Sequence, residues 1–225
     1  MIARKKLLLY GLMKYTAGAV LIGLMLFLPA GTLKFAGGWR FLLLLFVPML
    51  GLGMVLLLKA PELLAKRLQH GKSQEDQKKV IALSALQFIA MFILAGLDYR
   101  FGWSHMPEWL IWLASAVLLV SYGLYGQVMR ENAWLSRKVE VQEGQQVVDT
   151  GLYGIVRHPM YAATVWLFLS MPVVLQSWAA LAVMMPYPLL IAWRIKGEEA
   201  LLEAELSGYA QYKERVRWRL FPFLW

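Results

Sequence analysis

The sequence predicts an all-α integral membrane protein, and three observations carry that prediction. Hydrophobic residues make up 60% of the 225, mean hydropathy is +0.54, and charged residues are 16%, against roughly 25% in an ordinary soluble domain. With so few charges to cover so much apolar surface, lipid must be the solvent for much of the chain. The apolar residues fall in long, Leu-rich runs without alternation, which excludes membrane strands. The basic residues sit between those runs, where anionic headgroups would lie. The expected architecture is six transmembrane helices, with a C-terminal helical hairpin and a cytoplasmic C-terminal helix. A four-helix scaffold (1–128) precedes a membrane-embedded region (129–225) that holds the chemistry.

The spans are expected at 7–29, 41–58, 80–97, 109–128, 161–175 and 178–193. The first follows Arg4-Lys5-Lys6 with no small-residue cleavage site, so it reads as a retained helix. It carries Lys14 near its start, where a long stem can reach the interface. Ser84 and Gln87 interrupt the third. Only Gln176-Ser177 separates the last two, which must therefore be antiparallel neighbours. At roughly 22–24 Å they are short for a hydrocarbon core of about 30 Å. Between the second and third spans, Pro61-Glu62-Leu63-Leu64-Ala65-Lys66-Arg67-Leu68 has Pro at a first turn and helically spaced apolar residues. That pattern fits a short interfacial helix as well as a plain connector.

Six spans put both termini on one side. Nineteen Lys and Arg residues then lie on that side and three (Lys34, Arg40, Arg100) on the other. This asymmetry orients both termini to the cytoplasm, as in a bacterial inner membrane. Trp39, Trp103, Trp109, Trp178 and Trp193 fall at span ends, as an aromatic belt would. The formal charge of +9 follows from these loops and does not imply nucleic acid. With no cysteine, disulfides, thiolate nucleophiles and Cys-ligated metals are excluded, and no metal site is expected.

Two polar stretches flank the hairpin. The first, 151–161, ends in Arg157-His158-Pro159-Met160-Tyr161. Pro159 suits the first turn of a helix and pushes His158 toward an extended backbone. His158 thus stands at a helix entrance, with Tyr161 three residues on. An interfacial anchor of Arg, His and Tyr is the plainer reading of these residues. In the second stretch Arg194 and Glu198 are four apart and share a helix face, with Glu199 adjacent. An ordinary surface ion pair would look the same. The near-loopless hairpin tips the balance, because it brings His158 and Tyr161 close to Arg194 and Glu198. Such a convergence of imidazole, phenol, cation and carboxylate is a site signal.

Gly151-Leu152-Tyr153, Arg157-His158-Pro159-Met160-Tyr161, Arg194 with Glu198-Glu199, Gly208-Tyr209 with Tyr212, and Val216 and Pro222 together resemble the isoprenylcysteine carboxyl methyltransferase family. Phospholipid N-methyltransferases share the signature more loosely. The likeness spans roughly 130 to 222. It implies S-adenosylmethionine as methyl donor, bound at the cytoplasmic membrane face by Gln142, Val147, Val148, Tyr153, His158, Pro159, Tyr161 and Glu198. It assigns Arg194 to the acceptor's carboxylate. Two positions depart from the family pattern: Leu152 stands where Pro is common, and Ser207 precedes Gly208 where Phe is common. Neither bears a reacting group.

The chemistry of the residues agrees with that role. Tyrosine faces and a carboxylate attract a sulfonium. A carboxylate acceptor needs only a cation to orient it, which Arg194 can supply bidentately. An amine acceptor would need a proton acceptor, for which Glu199 is the candidate. The acceptor is expected to be a lipid-like or prenyl-type amphiphile, with carboxylate O-methylation favoured. Two other readings compete. One is an NADPH-dependent membrane reductase, since sterol-type reductases show a similar Arg-His-Pro-x-Tyr segment. Against it, no Gly-rich phosphate loop is present. The other is a non-catalytic membrane protein of the same fold.

Overall fold

The computed structural model describes residues 4–68, 75–135 and 141–225. Every regular element among them is helical. In order they are α1 (Arg4–Ala30), α2 (Ala36–Lys59), α3 (Pro61–Leu68), α4 (Glu75–Phe101), α5 (Glu108–Glu131), a 3-10 turn at Gly151–Gly154, α6 (Pro159–Val174), α7 (Trp178–Met184), α8 (Tyr187–Glu205) and α9 (Tyr209–Arg215).

Among the described residues, five stretches are long and apolar enough to cross a membrane: α1, α2, Lys78–Phe101 of α4, α5, and α7 with α8 read as one stretch, Trp178–Glu205. The expected fifth span is the exception. As α6 it has only 16 residues and is classed with the shorter apolar helices. The expected sixth span is also altered. It breaks at 185–186, because Pro186 has no N–H to continue the helical ladder, and it resumes as α8. Gln87 of α4 donates its side-chain amide to the carbonyl of Val183, 3.0 Å away, just before that break. The polar interruption noticed in the third span thus supplies a donor where lipid offers none. Past the break α8 runs on to Glu205, so Arg194 and Glu198 stand on the same rigid rod as the span.

Lys14 reaches the carbonyl of Leu68 at 2.7 Å and lies 4.5 Å above the Tyr10 ring. The segment from 61 begins as α3; its continuation at 69–74, with Lys72, lies outside the described residues, as do Arg137 and Lys138. The five belt tryptophans are all exposed on the outer surface.

The core runs through α2, α4, α5, α6, α7 and α8 and centres on Phe41, Met91, Leu118, Val174, Met184 and Ile195. Phe88, Phe168 and Tyr187 pack edge to face within it. Helices α1 and α4 approach closely because Gly96 has no side chain: a Cβ there would run into the carbonyl of Leu26. Small residues permit close helix contact in lipid in this way. Hydroxyls in the helices bond back to their own turns, as Ser115 does to Ile111 and Thr164 to Met160.

Polar contacts mark the two ends of the bundle. At one end Asp98, at the close of α4, accepts from the Ser104 N–H at 2.8 Å, the Ser104 hydroxyl at 2.6 Å and the Ser177 hydroxyl at 2.5 Å. Ser177 also caps α7, and Gln176 makes the turn in the left-handed region at φ 64°. The α6–α7 turn is therefore pinned to the start of α5. At the opposite end lie α3, the start of α6, the end of α8, α9 and the C-terminal segment.

Candidate functional site

The hairpin sets the geometry at this second end. Pro159 occupies the first turn of α6 and is buried. His158 precedes it at φ −126°, ψ 61°. The backbone N–H groups of Arg157 and His158 donate to the carbonyls of Trp218 and Arg219, each at 2.9 Å. Three residues on, the Tyr161 hydroxyl meets α8: it donates to Glu198 Oε2 at 2.5 Å and accepts from Arg194 Nε at 2.7 Å. The Arg194 guanidinium lies 5.7 Å from the Tyr161 ring centre. Groups more than thirty residues apart are thereby joined through one phenol.

These groups face a cavity of about 120 Å³. Asn132, Trp134, Gln145, Gln146, Val147 and Val148 wall one side; Tyr153, Arg157, His158, Met160 and Tyr161 the second; Arg194, Glu198, Leu202, Tyr209 and Tyr212 the third. The hydroxyl of Tyr209 is buried there and has no hydrogen-bond partner among the described residues. Unpaired polar atoms in a buried position carry a real cost.

Tyr153 is set by its neighbours. Gly151 has φ 58°, and a Cβ on it would lie 2.5 Å from the Glu131 carboxylate. Only glycine serves there. Glu131 in turn accepts from the N–H of Leu152 at 2.8 Å. The Tyr153 hydroxyl accepts from Asn132 Nδ2 at 3.0 Å, and its carbonyl accepts from the Tyr212 hydroxyl at 2.8 Å. Burial is the largest influence on the Tyr153 phenol and pushes its pKa well above the usual range; the Asn132 hydrogen bond and the charge of Arg67 act in the opposite direction. Burial likewise raises Tyr209 and Tyr212, so all three remain neutral donors at ordinary pH.

Of the residues expected at the cofactor, Val147, Val148, Tyr153, His158, Tyr161 and Glu198 line the cavity, and so does Arg194. Pro159 does not line it and acts by starting α6. Gln142 does not line it either. It donates to the Trp134 carbonyl at 2.5 Å and takes part in the turn with Gln145, which brings Gln145 to the wall instead. The largest correction concerns Glu199. One residue along a helix is a turn of about 100°, which carries this carboxylate away from the cavity. It is buried against Arg157 Nε at 2.7 Å, Arg219 Nε at 2.8 Å and His158 Nε2 at 3.3 Å. Arg157 also donates to the carbonyls of Val216 and Arg217. Paired with the guanidinium groups of Arg157 and Arg219 and turned from the cavity, Glu199 is not placed as the free proton acceptor expected of it. It fastens the C-terminal segment to the helix entrance and fixes the His158 ring. Asn132, Trp134, Gln145, Gln146, Tyr209 and Tyr212 are wall residues the sequence did not nominate. For the two tyrosines the Gly208-Tyr209 and Tyr212 signature was the available signal.

A helical membrane protein with a tyrosine-walled polar cavity at one end of its bundle, where carboxylate and guanidinium meet on one phenol, is the class this fold and site define. The more particular assignment comes from the chain itself. Residues 109–204 match the model of the Isoprenylcysteine carboxyl methyltransferase (ICMT) family. The match takes in α5 as well as the hairpin and most of α8. A search of curated proteins returns no match.

Proposed function

We propose that the protein is an S-adenosylmethionine-dependent methyltransferase acting at the cytoplasmic membrane face on an amphiphilic, lipid-like or prenyl-type acceptor, with carboxylate O-methylation favoured. The observation that carries this reading is the cavity in which Tyr161 joins Glu198 and Arg194 and which Tyr153, Tyr209 and Tyr212 also line.

The residues present fit the cofactor. Four tyrosines and one carboxylate suit a sulfonium with an amino-acid end; the side-chain amides of Asn132, Gln145 and Gln146 suit the polar edges of a nucleoside; Val147, Val148 and Leu202 suit its faces. When bound, the cofactor supplies a methyl group on a cationic sulfur. The chain's own contribution is positional. Tyr153, Tyr161 and Glu198 hold the cation, and the Tyr209 hydroxyl gains the partner it lacks. His158, braced by Glu199, presents its ring at the cavity. Arg194, fixed by the Tyr161 hydroxyl, orients an acceptor carboxylate beside it. Such a carboxylate needs no general base, which accords with Glu199 being committed elsewhere. Most of the rate gain in a displacement of this kind comes from near-attack alignment.

Thermal unfolding of the purified protein in maltoside micelles tests this. S-adenosylhomocysteine at a hundred times its dissociation constant is expected to stabilise the fold by about 2.7 kcal/mol, and NADPH to have no effect. Glu198→Gln and His158→Ala should express normally and lose the shift. No shift in the unmutated protein at millimolar ligand would sink the proposal.

A further inference from the structure

Helix α3 brings a second cation to the site. Leu63 and Arg67 are four apart and share a face, and Leu63 is buried, so Arg67 is turned into the protein. Charged side chains on a surface-lying helix ordinarily extend toward water; this one is half-buried. Its Nη2 lies 3.3 Å from the sulfur of Met160, and its guanidinium carbon lies 5.7 Å from the centre of the Tyr125 ring. Its Nε is buried and has no hydrogen-bond partner among the described residues. A thioether is a weak acceptor, and no carboxylate pairs with Arg67 among the described residues. The guanidinium is therefore held in place with most of its hydrogen-bonding capacity unused.

Its position is specific. Met160, which it touches, lines the cavity. The next residue, Tyr161, holds Arg194. Two arginines thus flank the first turn of α6, Arg194 on the cavity and Arg67 on the side of α2, α3 and α5. Val55 and Leu58, a turn before α3, and Leu124, beside Tyr125 in sequence, are exposed apolar side chains on the helices that α3 and Arg67 pack against.

Resting on the methyltransferase reading, we propose that Arg67 is the receptor for the anionic headgroup of the acceptor as it leaves the lipid, before Arg194 orients it at the cavity. The acceptor is then an acidic amphiphile, bearing a carboxylate or phosphate, and not a neutral lipid.

The test compares wild type with Arg67→Gln in neutral maltoside micelles, following binding by tryptophan fluorescence. The probes are laurate, dodecyl phosphate, dodecanol and inorganic phosphate. Laurate and dodecyl phosphate should bind wild type and lose about tenfold or more in affinity in Arg67→Gln, as expected for loss of a charged hydrogen bond. Dodecanol should be indifferent to the substitution. Arg100→Gln, which removes a cation at the other end of the bundle, should bind both acidic probes like wild type. Both variants should keep the unmutated protein's thermal response to S-adenosylhomocysteine, which shows the cavity intact. Equal loss in Arg100→Gln, or equal loss for dodecanol, would overturn the proposal. Inorganic phosphate binding as tightly as dodecyl phosphate would overturn the amphiphile. If wild type fails to respond to S-adenosylhomocysteine, the methyltransferase reading falls, whereas the laurate comparison still decides the role of Arg67.

Discussion

The two ends of the bundle each bury a carboxylate, and they are built to opposite purposes. Asp98 is 2% exposed and accepts from two hydroxyls and one N–H. Its donors are neutral groups that tie the end of α4 to the segment before α5 and to the start of α7. At the other end Glu198 and Glu199 are adjacent in sequence but divide two tasks. Glu199 is closed in by Arg157, Arg219 and His158, while Glu198 faces the cavity with Tyr161. A buried acid is therefore not by itself a functional group. What distinguishes the site is a carboxylate next to space, on a cavity that tyrosines also line.

The strongest challenge to this contrast is to remove each fastened acid in turn. Glu199→Ala leaves Arg157 buried without its counter-charge, and breaking a buried pair this way costs about 3–5 kcal/mol. The variant is expected to unfold well below the unmutated protein and to release the C-terminal segment, read as proteolysis near Val216. Asp98→Asn keeps the shape but weakens three hydrogen bonds, a loss of about 1–3 kcal/mol, and should leave the response to S-adenosylhomocysteine unchanged. A change in that response on substituting Asp98 would show that the two ends are coupled and the contrast is false.

Gly151→Ala is expected to come next. The substitution puts a methyl group against the Glu131 carboxylate in a left-handed backbone, a conformation that costs about 1–2 kcal/mol for an ordinary residue. Thermal unfolding should show that loss, and ligand affinity should fall with it, because Tyr153 is carried on the same turn. Pairing it with Glu131→Ala should recover the steric part and leave the backbone part. Full recovery would mean that the left-handed turn itself is of no consequence.

How much of this was legible in the sequence follows from the physics of each signal. Long apolar runs and the absence of alternation gave the helical membrane class. The two-residue hairpin turn gave the meeting of Tyr161 with Arg194 and Glu198, because so short a link leaves no other geometry. The break at 185–186 was visible in Pro186 but went unused, since a run of apolar residues masks an interruption. Glu199 and Glu198 could not be told apart, because adjacency says nothing about which neighbour faces a cavity. The C-terminal segment that decides it joins through the Arg219 side chain and several backbone carbonyls, and the carbonyls are groups any residue supplies. Arg67 was hidden for a related reason: its inward direction depends on how α3 rolls against α2.

The smallest expected effect has an unusual sign. Tyr209→Phe deletes a buried hydroxyl that has no hydrogen-bond partner among the described residues, on a residue that lines the cavity. Removing a polar partner normally destabilises, but here no hydrogen bond is lost, and the desolvation cost of that hydroxyl, about 1–3 kcal/mol, is relieved. The ring stays packed on Tyr212, 5.7 Å between centres. The variant should therefore unfold at an equal or slightly higher temperature at neutral pH. The substitution also removes a phenol whose pKa burial has raised. Burial disfavours its ionised form, so the unmutated fold loses stability as pH rises past the unfolded value of about 10, and the variant should hold its stability better in alkali. Its affinity for S-adenosylhomocysteine should fall severalfold. A fall in stability at neutral pH with unchanged affinity would mean that this hydroxyl does structural work, and the cavity would lose one of the features that separate it from the cluster around Asp98.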